Sequence, residues 1–227
     1  MSEHVSRRSS SIEDYVRAIY GLVERGEAVT NTSLAGRLEV SPSSVSGMLT
    51  KLGQEGLVEH VRYGRIELTG EGRLLARAVL RRHRLIETYL VSELGYTWDE
   101  VHAEADSLEH AVSDRLVARI AAKLGNPVRD PHGDPIPAED GSVEELSTRL
   151  LDELPAGAVG EIVRVWDTDP DLLRYLADNA IALGKRIEVV ERQPFGGSIV
   201  VKVGSPPDAA THALGKEIAQ ALSVAVR

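Results

Sequence analysis

Ser41-Pro42-Ser43-Ser44-Val45-Ser46-Gly47-Met48-Leu49-Thr50-Lys51-Leu52 is the stretch whose reading decides the fold of this chain. Ser41 has the hydroxyl of an N-cap, and Pro42 falls at the first helical position, where its missing N–H costs nothing. Upstream, a short helix from Thr30 or Asn31 to Leu38 is followed by the turn Glu39-Val40-Ser41. Two short helices joined by a tight turn make a helix-turn-helix, with Leu34, Ala35, Leu38, Val45, Met48, Leu49 and Leu52 as the shared core. The outward side of the second helix offers Ser43, Ser44, Ser46, Thr50 and Lys51, with Ser41 and Pro42 at its start. Such small hydrogen-bonding groups suit close approach to a DNA groove, and they equally suit a solvated surface. Downstream, Gly56 to Leu68 holds two strand-like runs around Arg62-Tyr63-Gly64-Arg65. A hairpin there is a wing whose Arg62 and Arg65 can reach flanking phosphates, so the order of elements predicts a winged-helix DNA-binding domain.

Working outward toward the N-terminus, Ser11-Ile12-Glu13-Asp14 reads as a helix start, with Ser11 as N-cap and Asp14 in capping-box position. Ile12, Tyr15, Val16, Ile19 and Val23 supply its apolar face, and Gly26 ends it. Toward the C-terminus, Thr69 caps a long helix reaching about Leu90. His83 and Glu87 lie four apart on it, a spacing that serves a metal pair or an ordinary helix-stabilising pair.

The next helix spans Trp98 to Asp114. At about 100° per residue, with His102 at zero, Asp106 falls near 40°, Glu109 near −20° and His110 near 80°. Two imidazoles and two carboxylates thus share one arc beside the apolar stripe Val101, Ala105, Leu108, Val112 and Leu116. That arc can seat a divalent cation, and a solvated face rich in i,i+4 pairs would carry the same residues. Gly125 to Ser142 is rich in Pro, Gly and Asp and reads as an ordered loop passing into a linker, with His132 a loop residue. Beyond it, strands near 160–166, 186–191 and 198–203, a short helix around 171–176 and a helix–strand segment at 217–226 predict a small β-barrel of SH3-like size.

The composition is that of a globular chain, 42% apolar and 27% charged over 227 residues. With no cysteine there is no disulfide and no thiolate site, so a bound metal meets oxygen and nitrogen. The N-terminus lacks an apolar leader core, and no run of about eighteen apolar residues occurs, so neither export nor a membrane span is expected and the cytoplasm is the default. The net charge of −9 is uneven: residues 1–90 carry 13 Lys+Arg against 11 Asp+Glu, leaving 13 against 24 for the rest. A weakly basic N-terminal third permits a local DNA contact. Two rival readings are a metal hydrolase, against which no separate nucleophile or phosphate loop accompanies the His/Asp/Glu arc, and a winged-helix regulator of an organic ligand.

Asp14–Tyr20, Ser41–Leu57, Leu68-Thr69-Gly70-Glu71-Gly72-Arg73, Arg82–Glu87, His102–Asp114, His132-Gly133-Asp134-Pro135-Ile136-Pro137 and Leu154-Pro155-Ala156-Gly157 together resemble the metal-dependent transcriptional repressors that include the diphtheria toxin repressor and the manganese transport regulators. The resemblance spans nearly the whole chain, loosely in its last part. It implies a mainly α protein with an N-terminal winged helix-turn-helix (1–73), a helical dimerisation and metal-binding domain (74–140), a linker (141–150) and a small C-terminal SH3-like β-barrel (151–227). It implies no enzyme but a homodimeric repressor of metal-homeostasis genes on a palindromic double-stranded operator. One metal would use Asp14, Asp106, Glu109 and His110, another His83, Glu87 and His102, and in the barrel, where iron-responsive members contribute a Glu and a Gln, the nearest candidates are Asp167, Asp169 and Asp171, with Asp167 taken first. Iron-responsive members have methionine and cysteine where this chain has Asp14 and Asp106, and carboxylates favour Mn²⁺ over softer metals. Fe²⁺ or another divalent transition metal is the alternative effector. Arg17 stands where some manganese regulators have a metal-binding glutamate. Gly47 stands where relatives can have a glutamine, leaving Ser41, Ser43, Ser44 and Ser46 to face the bases.

Overall fold

The computed structural model describes residues 9–61, 65–144, 147–166 and 169–226. The chain divides into two compact units, Met1–His83 with Pro137–Ser142, and Arg84–Ile136 with Val143–Arg227.

The first unit is the winged helix. Helix α1 (Ser10–Glu24), α2 (Asn31–Leu38), α3 (Pro42–Gln54), strands β1 (Val58–Val61) and β2 (Arg65–Leu68), and the start of α4 (Gly70–Leu94) follow one another. Thr30 caps α2 in a reciprocal capping box with Ser33, and Ser41 caps α3 by accepting from the Ser44 N–H. Thr69 opens α4 by accepting from the Gly72 N–H at 3.0 Å. One sequence expectation fails at α1: the N-cap is Ser9, so Ser11 is the second helical residue and Asp14 the fifth. The capping-box position falls on buried Ile12, so Asp14 does not occupy it. Leu34, Val45, Leu49 and Leu52 bury fully against α1, Leu57 and Ile66, with Leu38 and Met48 half-buried at the margin. Each such side chain contributes about 1.5–3 kcal/mol. The antiparallel pair β1–β2 forms the wing with Val58 opposite Leu68. Arg65 is exposed on it, whereas Arg62 lies outside the described residues. The segment 137–142 lies along α4, where the Arg81 guanidinium donates to Pro137 O at 2.8 Å and that of Arg77 to Gly141 O at 3.0 Å.

The second unit carries the rest of α4, then α5 (Val101–Glu109), α6 (Asp114–Lys123) and a sheet. The helix expected over 98–114 is shorter and broken: His110 closes α5, and Ser113 caps α6 by accepting from the Leu116 N–H. The expected apolar stripe therefore splits, and Leu116 on the new helix is 47% exposed. Ile86, Leu90, Val101 and Ala105 make one small core, and Leu85, Val117, Ile120, Ala121 and Ile136 another.

Beyond them come β3 (Arg149–Leu150), β4 (Val159–Val165), α7 (Pro170–Asp178), β5 (Arg186–Arg192), β6 (Ile199–Val203), β7 (Ala210–Leu214), α8 (Lys216–Ala221) and β8 (Leu222–Val226). They form a six-stranded antiparallel sheet in the order β3-β8-β4-β5-β6-β7. This corrects the expected barrel: among the described residues β3 and β7 are open edges. Register shifts at Ile162/Arg164 and Val189/Glu191 curl the strands. Leu173 and Leu176 of α7, Ile181 just beyond it and Ala219 of α8 complete the core that the inner sheet face begins. The sequence reading also missed β7, an edge strand with little apolar alternation.

Candidate metal centre

In the first unit, α1 carries Asp14 and Arg17 one turn apart, and the middle of α4 carries Arg82 and His83. Asp14 is half-buried and His83 is buried. Arg17 Nη1 donates to His83 Nδ1 at 3.0 Å, and buried Glu13 accepts from Arg82 Nη1 at 3.0 Å. Nothing in the local sequence marks Glu13 for this pairing, because its partner lies 69 residues away. Removing either member of such a buried pair strands a charge and costs about 3–5 kcal/mol.

On the same unit's surface, Ser41, Pro42, Ser43, Ser44, Ser46 and Lys51 are all exposed, as the sequence predicts. Ser41 Oγ lies 2.8 Å from Ser43 Oγ and 2.9 Å from Ser44 Oγ, and Asn31 Nδ2 donates to Ser46 Oγ at 2.7 Å. The α3 N-terminus thus presents a connected row of hydroxyls above buried Val45 and Leu49.

In the second unit, α4 and α5 bring Glu87 against His102. His102 Nδ1 lies 3.1 Å from Glu87 Oε1, and its Nε2 lies 3.8 Å from Asp106 Oδ2, one turn along α5. The Glu87 side chain is fully buried, whereas those of His102 and Asp106 are each 42% exposed. One imidazole therefore stands between an inner and an outer carboxylate, open to solvent on the outer side. Glu109, also buried, holds Oε1 3.4 Å from His110 Nε2. The donors here are carboxylate oxygen and imidazole nitrogen, a set that suits divalent cations of hard to borderline character. Asp167 lies outside the described residues.

The loop expected to be a plain connection is the larger surprise. His132 is fully buried, with its ring stacked on Trp98 at 6.3 Å between centroids. Its Nε2 lies 2.7 Å from Trp98 O and, since a carbonyl only accepts, donates to it. Glu87, Asp130 and His132 each bring one ligand-type atom within 4.8 Å of the others, all three residues buried. Asp130 Oδ1 accepts from the backbone N–H groups of His132 and Asp134 at 2.8 and 2.9 Å, and its Oδ2 lies 3.6 Å from Arg84 Nε. Arg84 also donates to Pro135 O at 2.6 Å. Asp134 pairs in turn with Arg164 of β4. Gly133, at φ +84°, lies so close to β4 that a Cβ there would meet Val163 O at 2.1 Å. The Val165 N–H donates to His132 O at 2.8 Å. The signal available in the sequence was the Asp-Pro-His-Gly-Asp-Pro spacing, with a glycine placed for close approach.

At the turn before α5, Asp99 accepts from Arg174 Nη1 of α7 at 3.1 Å. Partial burial raises the Asp99 pKa, but hydrogen bonds from Thr97 and Arg174 outweigh it and hold the carboxyl below its ordinary value.

Comparison with known proteins spans the chain. Residues 8–66 match the family described as iron dependent repressor, N-terminal DNA binding domain, residues 69–138 the iron dependent repressor, metal binding and dimerisation domain, and residues 149–226 the FeoA domain. The iron-dependent repressor IdeR of Mycobacterium leprae is 35% identical over 204 residues, covering 85% of this chain and 88% of that protein. The diphtheria toxin repressor of Corynebacterium diphtheriae is 33% identical over 190 residues, covering 79% and 84%. Among solved structures, a manganese-dependent transcriptional repressor in complex with manganese superposes at a TM-score of 0.91 with 48% identity, covering 95% of this chain and 100% of that one. The manganese regulator SloR superposes at 0.80 with 33% identity, covering 95% and 98%.

Proposed function

Because the chain belongs to the iron-dependent repressor family, that of the diphtheria toxin repressor, we propose that it is a manganese-dependent repressor of metal-homeostasis genes, acting in the cytoplasm as a homodimer on a palindromic operator. Its relatives are transcriptional repressors rather than enzymes, and no helix among the described residues is long and apolar enough to cross a membrane. The observation that carries the reading is the donor chemistry around His102, where Glu87 and Asp106 both offer oxygen.

The domain plan proposed is DNA binding over 1–73, dimerisation and metal binding over 74–140, a linker over 141–150 and an SH3-like domain over 151–227. Family resemblance assigns Asp14, Asp106, Glu109 and His110 to one metal and His83, Glu87 and His102 to another, with Asp167 as a further ligand. A bound cation supplies the positive charge that lets these carboxylates converge. Asp14 and Asp106 then draw α1 and α5 into one ligand set and limit the orientations the winged helix samples, so that two recognition helices meet successive major-groove faces about one DNA turn apart. Ser41, Pro42, Ser43, Ser44, Ser46 and Lys51 face the groove, and Arg62 and Arg65 the flanking phosphates. At a metal concentration a hundred times the dissociation constant, the coupling available is about 2.7 kcal/mol, or roughly a hundredfold in operator affinity.

Manganese over iron rests on oxygen at Asp14 and Asp106, in a chain with no cysteine. Among solved structures, identity to the manganese-dependent repressor, 48%, also exceeds that to the IdeR of T. acidophilum, 30%. The iron-responsive reading is favoured by the names of the iron-dependent relatives above. A gel-shift titration on operator DNA tests both. Mn²⁺ should promote binding that chelator reverses, Asp106→Ala with His110→Ala should abolish the promotion, and anaerobic Fe²⁺ should act only at higher concentration. Operator binding indifferent to chelator refutes metal control, and Fe²⁺ acting at lower concentration than Mn²⁺ refutes the choice of metal.

A further inference from the structure

Arg17 and His83 lie 66 residues apart in sequence, on α1 and α4, yet their side chains meet at 3.0 Å through Arg17 Nη1 and His83 Nδ1. A guanidinium offers five N–H donors and no acceptor, and it does not give up its proton in proteins. His83 Nδ1 is therefore the acceptor, the ring is neutral and its proton is on Nε2. The single lone pair of a neutral imidazole, which is what a divalent cation binds, is already in use. His83 is 3% exposed, so water offers the ring little alternative.

We propose that Arg17 is a built-in competitor for the metal at His83, holding the ligating lone pair in the metal-free protein and setting the concentration at which a cation displaces it. The proposal rests on the reading of His83 as a ligand. A cation reaching Nδ1 must take the place of the Arg17 N–H. A cation reaching Nε2 must have the proton moved to Nδ1, which would then point an N–H at the Arg17 N–H. Either route ends the Arg17 contact. The guanidinium also keeps a fixed positive charge beside an incoming cation, which opposes binding further. Arg17 is half-buried at the edge of α1, so its long side chain has solvent to withdraw into, whereas the His83 ring has none. The site then behaves as a threshold: low metal leaves Arg17 in place, and higher metal replaces one cation by another without leaving the histidine unsatisfied.

The test uses the full chain, with Mn²⁺ alone as probe. Binding is followed through the electron paramagnetic resonance signal of free Mn²⁺ for the wild type, Arg17→Met, His83→Ala and the double variant. Arg17→Met keeps much of the apolar stem and removes donor and charge. It should tighten one class of Mn²⁺ site by about tenfold to a hundredfold, the range of a hydrogen bond made by a charged group. That gain should vanish in the double variant. Unchanged or weaker binding by Arg17→Met, with His83→Ala still losing a site, overturns the role of Arg17 and leaves the ligand reading intact. His83→Ala losing no site overturns both. Nitrogen-detected NMR of metal-free wild type gives a readout independent of any variant's folding. It should find the His83 proton on Nε2, and a proton on Nδ1 refutes the proposal.

Discussion

Replacing Gly133 by alanine tests the docking of the 130–135 loop on β4. A Cβ at Gly133 would stand 2.1 Å from Val163 O and 2.9 Å from Arg164 Cα, both backbone atoms of a strand paired on its two sides. Neither can rotate aside, so loop and strand must part by roughly an ångström, the kind of overpacking that costs about 1–3 kcal/mol. The left-handed φ of +84° adds about 1 kcal/mol once a side chain is present. The His132 O to Val165 N–H bond, 2.8 Å in the native protein, would stretch beyond bonding range and forfeit about another 1 kcal/mol. The total is about 4 kcal/mol even if the Asp134–Arg164 pair survives, nearly a thousandfold in the docking equilibrium. Urea denaturation followed together with amide hydrogen exchange measures it. Gly133→Ala should lower the unfolding free energy of the second unit by that amount or, if the loop detaches locally, accelerate exchange at the Val165 amide by up to a thousandfold. A loss under about 1 kcal/mol with Val165 still protected would show that the loop is not pressed on the strand as described.

Two other perturbations follow from the same kind of geometry. Gly72→Ala should destabilise the winged helix by about 2 kcal/mol or more, because a Cβ there meets Leu57 O at 2.0 Å; a thermal melt of the variant within a degree of wild type would contradict this. Asp99 is held below its ordinary pKa, so the folded state gains from its ionised form above about pH 4 and loses that gain as the pH falls through the depressed value. Exchange at the turn 97–100 should therefore rise on acidification below about pH 4 in the wild type and be pH-independent, beyond intrinsic exchange chemistry, in Asp99→Asn; identical profiles refute the linkage.

The features legible in the sequence share a short range. Ser41 and Pro42 start α3, Thr30 and Ser33 cap α2, and Thr69 opens α4, because a cap involves groups three residues apart. The core of the helix-turn-helix follows from apolar periodicity alone. Where two short-range signals compete, the reading slips. Ser9, Ser10 and Ser11 are equivalent as caps by composition, and the helix starts from Ser9. Likewise His110 closes one helix and Ser113 caps the next, and the angular count across 98–114 contains no term for that break.

The candidate centre divides in the same way. Glu87 and His102, which only the family resemblance puts together, face each other, and His102 with Asp106 is a one-turn pair. Asp130 and His132 looked like loop polar residues, yet both are buried.

By itself, then, the sequence determined a winged helix-turn-helix and a donor set of carboxylate and imidazole without sulfur, because spacing and residue chemistry act within a few residues. Only the tertiary structure decided that Arg17 meets His83, that Glu13 meets Arg82 across 69 residues, that His132 buries on Trp98, and that the C-terminal sheet stays open with helices closing its core. Those contacts join elements distant in the chain, and they form because burying a charge or an imidazole is favourable only where packing brings a partner to it.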